Sequence, residues 1–163
     1  MGTLHVIASD RRQARVVLGY IKALLDVPML RQLVVAETQE SIELATRVRI
    51  EVSTASFRSL RGYTCVGAVL DEVAFWRSDD SANPDREVLA ALRPSMATVL
   101  TSMLVAISSP YARRGVLWDA YHRSFGKDGD TLVWQAGTRV MNPSLPPASS
   151  AWRQMRRERR HSA

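Results

Sequence analysis

At 163 residues the chain has room for one domain with a proper core, and 46% hydrophobic with 23% charged residues is ordinary globular composition. No apolar stretch approaches the ~20 residues that cross a bilayer, and Met1-Gly2-Thr3-Leu4-His5 has neither the basic nor the apolar segment of a secretory leader. Of the net charge of +6, the tail arginines Arg153, Arg156, Arg157, Arg159 and Arg160, offset by Glu158, carry +4 (five minus one). Such a tail either contacts DNA or forms a solvated helix or linker, and both readings stand. Cys65 is the sole cysteine, which excludes an intrachain disulfide, suits a reducing cytoplasm and reads as a small buried hydrophobe.

In chain order, Leu4–Ala8 reads as a short buried strand. Asp10 and Gln13 have capping-box spacing, and Ala14, Val17, Leu18, Ile21, Leu24 and Leu25 recur at helical intervals, so the pattern predicts a helix over 11–25 closed by Pro28. Residues 32–53 are rich in Val, Ile and Thr with partial alternation, which predicts two or three strands in a meander at the sheet edge. A polar connector, Thr54–Gly62, leads to a strand over 65–71. After a loop from Ser78 to Pro84 comes a helix over 85–92, stopped by Pro94, and then a second core strand ending in Met103-Leu104-Val105-Ala106-Ile107. Residues 115–124 read as helix, 126–130 as a turn, Thr131–Ala136 as another strand and 142–150 as a Pro/Ser/Ala linker. Strands alternating with helices predict an α/β fold with a mostly parallel sheet flanked by helices. The predicted organisation is a core over 1–145 and a linker with a basic tail over 146–163.

The segment carrying most information is Val66-Gly67-Ala68-Val69-Leu70-Asp71-Glu72, an uncharged apolar run that ends in two adjacent carboxylates. A run of this kind is a strand buried on both faces, and open α/β sheets bind ligands at the carboxyl ends of their strands. There the first acid can help hold Mg²⁺ and the second can orient or deprotonate a water attacking phosphate, the layout of a Walker B strand. The bland alternative is a buried strand that ends in Asp-Glu as it reaches solvent. Neighbours raise the specificity: Ser59-Leu60-Arg61-Gly62 upstream, Val73-Ala74-Phe75-Trp76 directly after, and Ala106-Ile107-Ser108-Ser109-Pro110 ending the next strand. Hydroxyls at that strand end hydrogen-bond phosphate or water without adding charge or bulk.

Together these residues resemble the ATPase domain of the large terminase subunit of tailed bacteriophages, the motor that packages viral DNA. The matching pieces are Val6-Ile7-Ala8-Ser9 with Gln13-Ala14, Arg61-Gly62, Val69 through Trp76, Ile107-Ser108-Ser109-Pro110, Gln135-Ala136-Gly137-Thr138 and Met141-Asn142-Pro143, spanning roughly residues 4–145 in the family's order. The resemblance implies a P-loop NTPase core of the ASCE type, Asp71 at the Mg²⁺, Glu72 as catalytic carboxylate, and Ser108 and Ser109 coupling hydrolysis to movement. It places Arg61 and Gly62 near the nucleotide. Arg113 or Arg114 is a candidate arginine finger, with solvated loop charge the simpler account. It also implies ATP and Mg²⁺ in the complete protein, double-stranded DNA, the small terminase subunit and the portal as partners, and the cytoplasm of a host or prophage-carrying cell.

No Gly-x-x-x-x-Gly-Lys-Ser/Thr loop occurs in these residues; the one Gly-Lys pair, Gly126-Lys127, is followed by Asp128. By the resemblance the chain begins after the family's first core strand, and the nuclease domain beyond the linker is also missing. Without the backbone N–H cradle and its lysine, an acid pair repels a nucleotide, so tight ATP binding and hydrolysis by this chain alone are not expected. Loss of a middle strand predicts bare sheet edges or closure over the gap, with a tendency to self-associate. Two other classes remain open: a helicase-like P-loop ATPase fragment, and a non-catalytic DNA-binding or assembly module acting through the arginine tail. A metal-centred enzyme is disfavoured, because His5, His122 and His161 have no ligand spacing. The four tryptophans read as packing residues.

Overall fold

The computed structural model describes residues 1–55, 60, 62–77 and 81–145. Arg61 and the tail arginines Arg153, Arg156, Arg157, Arg159 and Arg160 lie outside the described residues. The chain divides into two compact units, Met1–Arg123 and Ser124–Ala163.

The first unit is built on a six-stranded sheet. Its strands are β1 (Gly2–Ala8), β2 (Val34–Glu37), β3 (Ser41–Leu44), β4 (Val48–Thr54), β5 (Thr64–Asp71) and β6 (Met103–Ile107), in spatial order β2-β3-β4-β1-β5-β6. The β4-β1-β5-β6 half is parallel and the β2-β3-β4 half antiparallel, so the predicted meander lies at one edge and feeds into the parallel core. Helix α1 (Arg11–Leu25) packs on one face: Leu18 joins Val6, Ile42, Ile50 and Val52 in a buried cluster. Helix α3 (Pro84–Met96) packs on the other, where Val88 and Leu92 bury with Ile7, Cys65, Ala68, Leu70 and Trp76. Successive residues of β1 and β5 thus serve opposite layers, which is why both strands are largely buried along their length rather than alternating between buried and exposed. Gly67 lets the strands approach closely at the β1-β5-β6 junction, since a Cβ there would meet Leu4 Cδ1 at 3.1 Å and the Met103 carbonyl at 3.2 Å and a neighbour would have to give.

Several local expectations change. Pro28 does not close α1, which ends at Leu25; it opens a short helix α2 (Pro28–Arg31), where its fixed φ and missing N–H are tolerated at the first position. Pro94 does not stop α3, which runs on to Met96. The Ser95 hydroxyl caps the Leu92 carbonyl at 2.7 Å, and Met96 packs against the α3-side cluster. The apolar run Met103–Ile107 does form a strand, but it is the sheet's last, paired to β5 alone, and all five residues are exposed. A bare strand edge of this kind, without charge or proline, invites a further strand.

Helix α4 (Gly115–Ser124) is tied to α3 at two points: the Val116 N–H donates to Asp85 Oδ2 at 2.7 Å, and Arg86 pairs with Asp119 at 2.6 Å. In the second unit, helix α5 (Thr138–Met141) follows a turn around residues 126–130. Thr131–Ala136 is irregular rather than a strand, and Leu132 and Trp134 are exposed. No ladder among the described residues pairs with that segment. Trp134 therefore does not pack as the sequence suggested, whereas Trp76 does.

One buried group makes the fold sensitive to acid. His5 lies on β1, fully buried, with its ring edge against Tyr63 at 5.5 Å, and neither ring nitrogen has a hydrogen-bond partner among the described residues. Burial pushes its pKa below the ordinary histidine value of 6.5, against a smaller upward pull from Glu51. The unfolded chain therefore binds a proton more readily than the folded one, so this contribution to stability is complete above about pH 6.5 and is lost as the pH falls from there towards the lowered folded value. His5→Leu is expected to flatten that decline; urea midpoints at pH 7.5 and 5.5 for both chains test it, and equal declines would rule it out.

Candidate functional site

The carboxyl ends of β1, β5 and β6 meet where α1 begins, and the chemistry collects there. Asp10 is the N-cap of α1 and accepts from the Gln13 N–H at 2.9 Å, as the spacing predicts. The reciprocal half of a capping box is not made. Instead Gln13 sends its side-chain amide across to β5, where Nε2 donates to Asp71 Oδ2 at 2.9 Å. Oδ1 of Asp71 has no hydrogen-bond or ion-pair partner among the described residues.

Glu72 follows directly and has left-handed backbone, φ 52° and ψ 41°. That region is unfavourable for a residue with a Cβ, by about 1–3 kcal/mol, and persists only where surroundings hold it. Three contacts do so. The Trp76 indole N–H donates to the Asp71 carbonyl at 2.8 Å, closing the 3₁₀ turn Val73–Phe75 from behind. The Ala74 N–H donates to Ser108 Oγ at 3.2 Å, and Ser108 Oγ in turn reaches Glu72 Oε2 at 3.2 Å. Ser108 Oγ also lies 3.2 Å from the Ser109 carbonyl. A hydroxyl carries one proton, so it donates to Glu72 or to Ser109 at any moment, not to both. Ser109 takes part through that carbonyl and is itself exposed.

The structure thus brings together Asp71, Glu72 and Ser108, and adds Gln13, which the sequence offered only as a capping-box residue and a piece of the resemblance. The missed signal was its position: a capping-box glutamine at the start of the helix after β1 also faces the neighbouring strand's tip. Gly62 is a correction. It occupies an exposed turn with φ +90° before β5, so the whole eight-residue strand separates it from Asp71, roughly 25 Å at ~3.3 Å per residue. It is not a neighbour of this site. Of the two arginines weighed as fingers, Arg113 stacks over the Trp118 ring at 5.8 Å, while Arg114 lines a cleft beside the 3₁₀ turn.

Among the described residues, no group of three or more His, Cys, Asp or Glu could enclose a metal. A group of that kind is not needed by Mg²⁺, which keeps several waters and takes one or two carboxylates. Asp71, anchored through one oxygen and open at the other, is suited to that part.

An interior parallel strand tipped with two acids lies beside a strand tipped with a hydroxyl, in a mostly parallel sheet between helical layers. This α/β architecture has the fold of the phage large-terminase ATPase domain. The chain aligns with the large terminase of bacteriophage HK97 over 98% of its own length and 36% of that protein's, with TM-score 0.64 and 18% identity. It aligns with the large-terminase ATPase domain of Thermus phage P74-26 over 68% of its own length and 49% of the other's, with TM-score 0.50 and 17% identity. The chain thus spans less than half of either structure. No protein-family model and no curated protein sequence matches it.

Proposed function

We propose that this chain is part of the large terminase subunit of a tailed phage, the ATP-driven motor that packages viral DNA. The observation that carries the reading is the linked set Gln13–Asp71 and Glu72–Ser108, assembled at the strand tips of a terminase-type sheet. Asp71 would hold Mg²⁺ through its open oxygen, and Mg²⁺ when bound would neutralise charge on the β- and γ-phosphates. Glu72 would position and deprotonate the attacking water. Ser108, free to donate either to Glu72 or to the Ser109 carbonyl, would report the state of that carboxylate to the segment after β6. Double-stranded DNA, the small terminase subunit and the portal are the partners this role requires, in the cytoplasm of the infected cell. Among the described residues no helix is long and apolar enough to cross a membrane. The open edge of β6 is where self-association would run.

Calorimetric titration with Mg·ATP tests the reading. The 163-residue chain, with no phosphate loop in its sequence, should show no micromolar affinity. Read in frame with upstream coding sequence that supplies such a loop, it should bind and hydrolyse ATP. Micromolar binding by the chain alone would overturn this account.

A further inference from the structure

A cleft of about 440 Å³ opens beside the turn that follows Glu72, walled in part by Phe75, Trp76, Arg77, Tyr111 and Arg114. Its wall includes the motif residues Phe75 and Trp76, but the carboxylate site itself lies outside its lining. Arg77 and Arg114 are exposed, and neither has a hydrogen-bond or ion-pair partner among the described residues. None of the described residues lining the cleft carries a carboxylate. In the same lining, Phe75 and Tyr111 lie with ring centroids 5.0 Å apart, tilted at 44°, and both residues are exposed. Trp76 is buried and its N–H is committed to Asp71, so it shapes the wall without offering a donor.

Two guanidinium forks without a partner among the described residues, lining one cleft with two exposed aromatic rings, suit a phosphate joined to a sugar. The fork geometry matches phosphate oxygens bidentately, and the ring faces accept the apolar side of a ribose. We propose that this cleft binds the backbone of duplex DNA, with Arg77 and Arg114 on a phosphodiester and Phe75 with Tyr111 beneath the adjoining deoxyribose. Contacts of this kind position a duplex without reading its sequence, as a packaging machine needs. The choice of DNA over a free nucleotide rests on the motor reading above; the phosphate-and-sugar chemistry does not. The placement matters because Phe75 and Trp76 continue the turn whose Ala74 N–H is held by Ser108, so DNA seated here lies against the loop that fixes Glu72.

The test is fluorescence anisotropy of a labelled 20-base-pair duplex with the full chain, over a range of salt concentrations. The arginine tail is present in every sample, so differences report the cleft. Arg77→Gln/Arg114→Gln should bind roughly tenfold more weakly and lower the salt slope by about 1–2, since each phosphate contact contributes about 0.9. Arg77→Lys/Arg114→Lys should keep the slope and recover only part of the affinity, because lysine retains charge without the fork. Both positions are exposed and unpaired, so the substitutions do not disturb the core. Unchanged affinity and slope in the Gln variant, or no duplex binding by the parent chain, overturns the proposal. So does AMP binding that the Gln variant loses while duplex binding stays intact, which would assign the cleft to free nucleotides. The motor reading fails separately, on ATP binding and turnover by a form that carries a phosphate loop and keeps both arginines.

Discussion

Glu72→Gln, made in a form of the chain that carries a phosphate loop and turns over ATP, is expected to lower kcat by about 10²–10⁴-fold, the usual contribution of a positioned general base. That range corresponds to roughly 2.7–5.5 kcal/mol of barrier. The substitution keeps size and hydrogen-bonding shape. Ser108 can still donate to the amide oxygen, and Trp76 still fixes the turn through the Asp71 carbonyl, so the left-handed backbone at Glu72 survives. What is lost is the charge that takes the proton from water. Affinity for Mg·ATP should therefore hold or tighten, since one negative charge facing the phosphates is gone. Single-turnover hydrolysis with parallel calorimetry separates the two quantities. A variant that hydrolyses at the parental rate would remove Glu72 from the chemistry and leave the acid pair as a strand ending.

The sequence exposed what local pattern determines. Residues 11–25 read as a helix because apolar side chains recur on one face and Asp10 caps the first turn; both hold. The run 65–71 read as a strand buried on both faces because nothing in it tolerates water, and Ala68, Val69 and Leu70 do divide between two layers. The carboxylate pair and its serine were legible because they are strand endings, and neighbouring parallel strands bring their ends together. What pattern cannot carry is partnership. Met103–Ile107 and Thr131–Ala136 look alike as strings, yet one has β5 beside it and the other has no ladder. Nor does sequence distance give direction: Gly62 is nine positions from Asp71, but those positions are spent along one extended strand. Gln13 was hidden for the opposite reason, lying 58 positions from the carboxylate it holds.

The second large effect concerns what sets the acids in place. Leu70 precedes Asp71, has no exposed surface, and lies in β5 opposite Ile7 of β1 and Ala106 of β6. Its side chain belongs to the cluster that α3 covers through Val88 and Leu92. Leu70→Ala removes that apolar volume from the middle of a parallel ladder, where neighbouring strands fix the backbone on both sides and cannot collapse into the gap. The cost should fall in the range of buried Leu→Ala changes, about 2–5 kcal/mol, against a total stability of about 5–15 for a domain. With a urea m-value of about 2 kcal/mol/M, the unfolding midpoint should drop by about 1–2 M. Leu100→Ala is the matched control: the same atoms are deleted at a residue that is 100% exposed, and the change should stay within about 0.5 kcal/mol. Because Leu70 and Asp71 are consecutive, the loss should reach function before it unfolds the chain: as α3 loosens from β5, Trp76 in the same cluster loses its hold on the Asp71 carbonyl. Equal midpoints for the two alanine variants would mean that α3 does not bury Leu70, and that the wall supporting the carboxylates lies elsewhere.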